Sequence, residues 1–213
     1  MSELRSHIGS HRASLGDLAS PAEHYDRTTI LLHWASALLI GLNWLLGQTR
    51  SFFPAGDPRV AVLSTHMLIG LSVGVMLLAR LTWRAGPGKR LAAEPGLIGL
   101  AATVMHRTIY AVIGITVCAG ASAALAHGFH LYGASLLPRL DFWPHGPLFL
   151  LGHLHGKLAD LLVVLAGFHA LVALAHHVVL GDGILLRMAP FLPAGLRPAR
   201  FRPGTHQPPF GDG

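Results

Sequence analysis

The chain has a single cysteine, Cys118, set within an apolar run. One cysteine excludes an internal disulfide, and with no C-x-x-C-H present, covalent haem attachment is excluded too. Charge is scarce. Asp, Glu, Lys and Arg together make up 12% of the 213 residues, about half the share of a typical soluble domain. Acidic residues are the rarer sign, 10 against 16 Lys plus Arg, for a formal net charge of +6. A basic balance serves nucleic acid when it forms a face with exposed aromatics or a groove-reading motif. Here the basic residues sit between apolar runs, so nucleic acid is excluded as a partner and the charge reads as membrane topology. The stretch before Arg27 has no apolar core of the signal-peptide kind. Nor is there an interrupted-helix repeat of the sort that builds transporters.

Long hydrophobic runs fill the rest; 52% of the chain is hydrophobic. They extend from Thr28 to Gln48, Val60 to Trp83, Leu97 to Ala126 and Leu154 to Leu180. Each reaches the ~20 residues that cross a bilayer as a helix. Backbone groups in lipid must be satisfied within their own segment, so the runs read as helices. The expected fold is all-α, a membrane-embedded four-helix bundle surrounded by lipid. Residues 1–26 form a flexible extension, 27–190 the transmembrane domain and 191–213 a basic, Pro-rich tail. Twelve of the 16 Lys and Arg fall at the two ends of the chain and around the second connection; only Arg50, Arg59, Arg139 and Lys157 fall on the other side. The positive-inside rule then places both termini in the cytoplasm. The connection from His127 to His153, with Tyr132, Phe142 and Trp143, faces outward as an interfacial cap.

Four histidines lie inside these runs: His33, His66, His155 and His169. An ionisable group at membrane depth is costly and marks function by default. His155 and His169 are fourteen residues apart. That spacing turns a helix about 1400°, roughly 40° short of four circles, with a rise of about 21 Å. The two therefore share a face at different depths. Depth pairs His66 with His155 in an outer layer and His33 with His169 in an inner one. Paired imidazoles are axial ligands for haem iron, and bundle cores hold cofactors between facing helices. Two stacked haems would conduct electrons across the membrane. Gly70 and Gly74 follow His66 on one face and leave either a flat slot for a porphyrin or ordinary close helix packing. His106 opens the third run and has four readings: a haem-propionate or quinone contact, a replacement for His33, or an interfacial histidine. Arg80, with Arg27 and Arg187, either pairs with haem propionates or only sets topology. Asn43 reads as a helix–helix hydrogen bond, His24 as a solvated bystander and His177 as interfacial. Asp160 can face water, a haem edge or Lys157.

The motifs L-L-H-W at His33, T-H-M-L-I-G at His66, H-G-K-L-A from His155, G-F-H-A-L-V-A-L-A-H-H around His169 and L-L-R-M-A-P before residue 191 resemble the bacterial cytochrome b561 family. That family is related to the cytochrome b subunits of hydrogenases and formate dehydrogenases. The resemblance covers Tyr25 to Pro190. It implies a four-helix membrane protein with two haem b groups on the same four histidines, exchanging electrons with quinone, ubiquinone being the expected substrate. The position matching His176 lies near a quinone or substrate pocket in that family, and an imidazole there can pass protons. Within the family, the chain is expected to act either alone, as a superoxide:ubiquinone oxidoreductase, or as the membrane anchor of a larger redox enzyme with a periplasmic redox partner. A homodimer is a further expected assembly. A cofactor-free transporter or scaffold is the reading from another class.

Overall fold

The computed structural model describes residues 24–89, 91, 96–138, 140, 146–193 and 196. His7, His11, Arg139, Phe142, Trp143, His145 and most of the two terminal extensions lie outside the described residues. Among the described residues, four helices are long and apolar enough to cross a membrane. They are α1 (Arg27–Thr49), α2 (Asp57–Ala85), α3 (Gly96–His127) and α4 (Pro147–Ala175). A short antiparallel hairpin, β1 (Phe129–Leu131) and β2 (Ala134–Leu137), follows α3. The chain divides into two units, Asp26–Leu171 and Met1–Tyr25 with Val172–Gly213.

In the larger unit, α1 begins at an N-cap. Asp26 accepts from the Thr29 amide at 2.9 Å and its hydroxyl at 2.6 Å. The same carboxylate accepts from the Trp83 indole at 3.0 Å and the Lys89 amide at 3.1 Å, joining the start of α1 to the end of α2. Burial pushes the Asp26 carboxyl up, but these hydrogen bonds outweigh it and hold the group at about 2. Helix α2 starts after Gly56 (φ 101°) with a proline in its first turn and stops at Gly86, the usual asymmetry of helix ends. Pro147 opens α4 in the same way, seven residues before the apolar run that marks it in the sequence.

The core is small. Val73, Val112, Ile113 and Leu162 are buried, with Leu39, Leu77 and Val117 packed against them. Large apolar side chains point outward instead, Leu31, Leu38, Leu71 and Val164 among them. Lipid solvates such a surface, and the helices are held by close packing and interhelical hydrogen bonds. Ser64, 1% exposed, accepts from the Tyr132 amide at 2.8 Å and so fixes the hairpin on α2. Tyr132 and Gly133 both take positive φ (49° and 87°), the geometry of a two-residue hairpin turn.

In the smaller unit, the helical path widens into a π-helical turn at His176–Leu180 and closes at Gly181, which adopts the left-handed conformation (φ 59°, ψ 28°). A 3-10 turn, Leu185–Arg187, follows. The Tyr25 amide donates to Arg187 O at 3.2 Å. His24 Nδ1 donates to Leu186 O at 3.0 Å, so His24 is anchored to backbone and is no solvated bystander.

Candidate functional site

The larger unit holds a cavity of about 920 Å³ with His66 and His155 on its wall. That volume lies within the range of cofactor pockets, about 300–1,000 Å³. The two ring centres are 5.9 Å apart. His66 Nδ1 lies 2.9 Å from Asn43 O, and His155 Nδ1 lies 3.0 Å from Thr116 O. A carbonyl only accepts, so both Nδ1 atoms carry the proton. Each Nε2 therefore keeps its lone pair, the tautomer a metal-ligating histidine needs. With metal–imidazole distances of about 2 Å, two imidazoles on opposite sides of one ion hold their ring centres roughly 6 Å apart. The donor set thus fits a bis-imidazole metal group.

Glycines make room for these rings. A Cβ on Gly120 would meet His155 Cε1 at 2.8 Å, and one on Gly47 would meet His66 Cε1 at 3.3 Å. Gly70 lines the cavity and faces the Asn43 amide nitrogen, while Gly74 faces Val117 of α3. Asn43 Oδ1 is buried without a hydrogen-bond partner. The interhelical bond expected of the Asn43 side chain is made by its backbone carbonyl instead.

A second cluster brings together His33, His106 and His169, from α1, α3 and α4. The ring centres of His33 and His169 are 6.4 Å apart, and those of His106 and His169 are 5.2 Å apart. Arg80 Nη2 donates to His33 Nδ1 at 3.4 Å, and its guanidinium stacks over the Tyr110 ring at 5.1 Å. No carboxylate pairs with Arg80 among the described residues. A guanidinium inside a span without a protein anion fits an anionic group such as a propionate. Among the described residues, no three His, Cys, Asp or Glu side chains converge as a metal cage. Paired imidazoles are the arrangement on offer.

In the smaller unit, His176 Nδ1 donates to Asp182 Oδ2, and Asp182 Oδ1 accepts from the Ile184 amide at 3.1 Å. His177 is buried, with Nε2 donating to Leu196 O at 2.7 Å. Asp160 does not turn to Lys157. Its Oδ1 accepts from Trp44 Nε1 at 2.9 Å and Gln48 Nε2 at 2.7 Å, both on α1. Reasoning from sequence missed Gly47, Gly120, the carbonyls of Asn43 and Thr116, and Asp182.

The sequence profile of prokaryotic cytochrome b561 matches residues 24–191. A cytochrome b562 of Cereibacter sphaeroides is 30% identical over 182 residues, covering 77% of this chain and 94% of its own. A probable superoxide oxidase CybB of Yersinia pestis is 30% identical over 178 residues, covering 78% and 96%. Cytochrome b561 homolog 1 of Escherichia coli is 26% identical over 176 residues, covering 78% and 97%.

Proposed function

The chain belongs to the prokaryotic cytochrome b561 family, membrane electron-transfer proteins carrying haem b in the bacterial inner membrane, and we propose that it holds two haems and moves electrons between an outer donor and ubiquinone. The observation that carries this reading is the pairing of imidazoles at two depths, with ring centres 5.9 and 6.4 Å apart. His66 and His155 would hold the outer haem, and His33 and His169 the inner one. The ring centres of His106 and His169 are 5.2 Å apart, closer than those of the other two pairs, and in this reading His106 flanks the inner site rather than replacing His33. Haem iron held by these imidazoles would supply one-electron transfer.

The protein's own groups do the rest. Asn43 O and Thr116 O hold the outer rings in the ligating tautomer. Arg80, beside His33, would pair with an anionic propionate of the inner haem. Asp182 fixes the His176 ring with Nδ1–H toward the carboxylate, which leaves the Nε2 lone pair to take up a proton from water and pass it to a reduced quinone oxygen. The charge bias supports cytoplasmic termini, with the cavity of His66 and His155 toward the outer face. Arg50 lines that cavity, and a cation there favours an anionic donor. The name of the Yersinia pestis relative supports superoxide as that donor. A homodimer remains part of the proposal.

The test is ubiquinone reduction by purified protein in vesicles, with superoxide as sole donor. Reduction by the wild type, slowed in His176→Gln at unchanged haem content, is the expected result. A wild type that is haem-replete and inert without a second protein subunit would transfer the role to a membrane anchor.

A further inference from the structure

Asp160 stands near the middle of α4, within a span, and no step above uses it. A carboxylate at this depth is costly, so it persists where partners compensate it. Its partners are on the facing helix. The indole N–H of Trp44 and the amide of Gln48 both donate to the same oxygen, Oδ1. Two donors on one oxygen hold a negative charge in a fixed place. All three residues line the cavity that contains His66 and His155. Asp160 is five residues past His155 and nine before His169. Along the helix that is a rise of about 7.5 Å from the outer ligand and about 13.5 Å from the inner one. Its field therefore falls unequally on the two layers.

We propose that Asp160 sets the potential of the outer redox centre: its carboxylate, clamped by Trp44 and Gln48 on the cavity wall, stabilises the oxidised form. The inference rests on the two-haem reading above. The biased step is a one-electron transfer in which an outer donor is oxidised by one electron and the outer centre reduced by one; no bond forms or breaks. The added electron brings negative charge toward a fixed anion, so reduction is opposed. Arg50, His66, His127, His130, His153 and His155 also border the cavity, and Lys157 lies on the same helix. They stay constant across the variants below and cancel from the comparison. A low outer midpoint keeps transfer toward the inner centre and quinone downhill. Trp44 and Gln48 are positioning residues, acting through Asp160.

The experiment is a spectroelectrochemical titration of the purified, haem-loaded protein, resolving both midpoints. Asp160→Asn and Asp160→Ala are expected to raise one midpoint and leave the other nearly in place, with haem content unchanged. Asp160→Glu is expected to keep the wild-type value. Gln48→Lys, which sets a cation beside an intact Asp160, is expected to raise the same midpoint and keeps the test open if the Asp160 variants fail to assemble. Unmoved midpoints, or both midpoints moving equally, would overturn the proposal while leaving the two-haem reading intact. Fewer than two haems in the wild type would instead remove that reading.

Discussion

The substitution Gly120→Ala adds one methyl group where His155 needs none. The new Cβ would lie 2.8 Å from His155 Cε1 and 3.0 Å from its Nδ1, closer than non-bonded atoms tolerate. The ring cannot yield freely, because Nδ1 is tied to Thr116 O at 3.0 Å on the same helix as Gly120. Relief therefore costs that hydrogen bond, about 1 kcal/mol, plus overpacking strain of about 1–3 kcal/mol. The sum of roughly 2–4 kcal/mol falls on the observed conformation of His155 and would weaken the proposed outer haem by roughly 30- to 700-fold, at 1.4 kcal/mol per decade. Pyridine haemochrome analysis after dialysis against a haem scavenger reads this as a fall from two haems per chain to one. Gly41→Ala is the control, since a Cβ there meets nothing within 4 Å, and it is expected to keep both. Equal haem retention in the two variants would refute the argument that Gly120 exists to seat His155.

Three further outcomes follow from the same geometry. Arg80→Met removes the cation beside His33 and is expected to lower the inner midpoint; a unit charge at about 10 Å with an effective dielectric near 20 is worth about 1.7 kcal/mol, roughly 70 mV for one electron, and an unchanged redox titration would contradict the assignment. Asp26→Ala removes an N-cap and the link to Trp83 and Lys89; thermal unfolding in detergent should show a loss of about 1 kcal/mol. Because the Asp26 carboxyl is lowered in the fold from 3.8 to about 2, its contribution is complete above pH 3.8 and is lost as pH falls toward 2, so the gap between wild type and variant should close across that window. Asp182→Asn is expected to slow ubiquinone reduction about as much as His176→Gln does, with a changed solvent isotope effect and unaltered haem spectra; a rate equal to wild type would remove Asp182 from the orientation of His176.

The architecture was legible because lipid imposes one rule on the whole length of each run, and four apolar segments of sufficient length satisfy it. The histidine pairs were legible for a related reason. Helical rise and turn convert the spacing of His155 and His169 directly into depth and face. Groups without a sequence signature were not legible. The anchors of His66 and His155 are backbone carbonyls of Asn43 and Thr116, and every residue carries a carbonyl. Gly120 sits among other small residues in α3, where nothing in the pattern separates it from a packing glycine. The early start of α4 was hidden because Gly152 and His153 interrupt the apolar pattern, although Pro147 is a regular first-turn residue. The hairpin escaped notice because Tyr132 takes a position usually given to Asn, Asp or Gly. Its cost there is offset by the Ser64 bond to its amide. Asp182 was overlooked because Gly181 reverses the chain and returns it to His176, a contact no helical spacing implies.

The most direct measurement is the haem count of the purified protein, by pyridine haemochrome and reduced-minus-oxidised spectra, alongside His155→Ala and His169→Ala. The account predicts two b haems per chain in the wild type, with each variant losing a different one. A single haem in the wild type, or two variants that lose the same spectral component, would contradict the two-layer assignment.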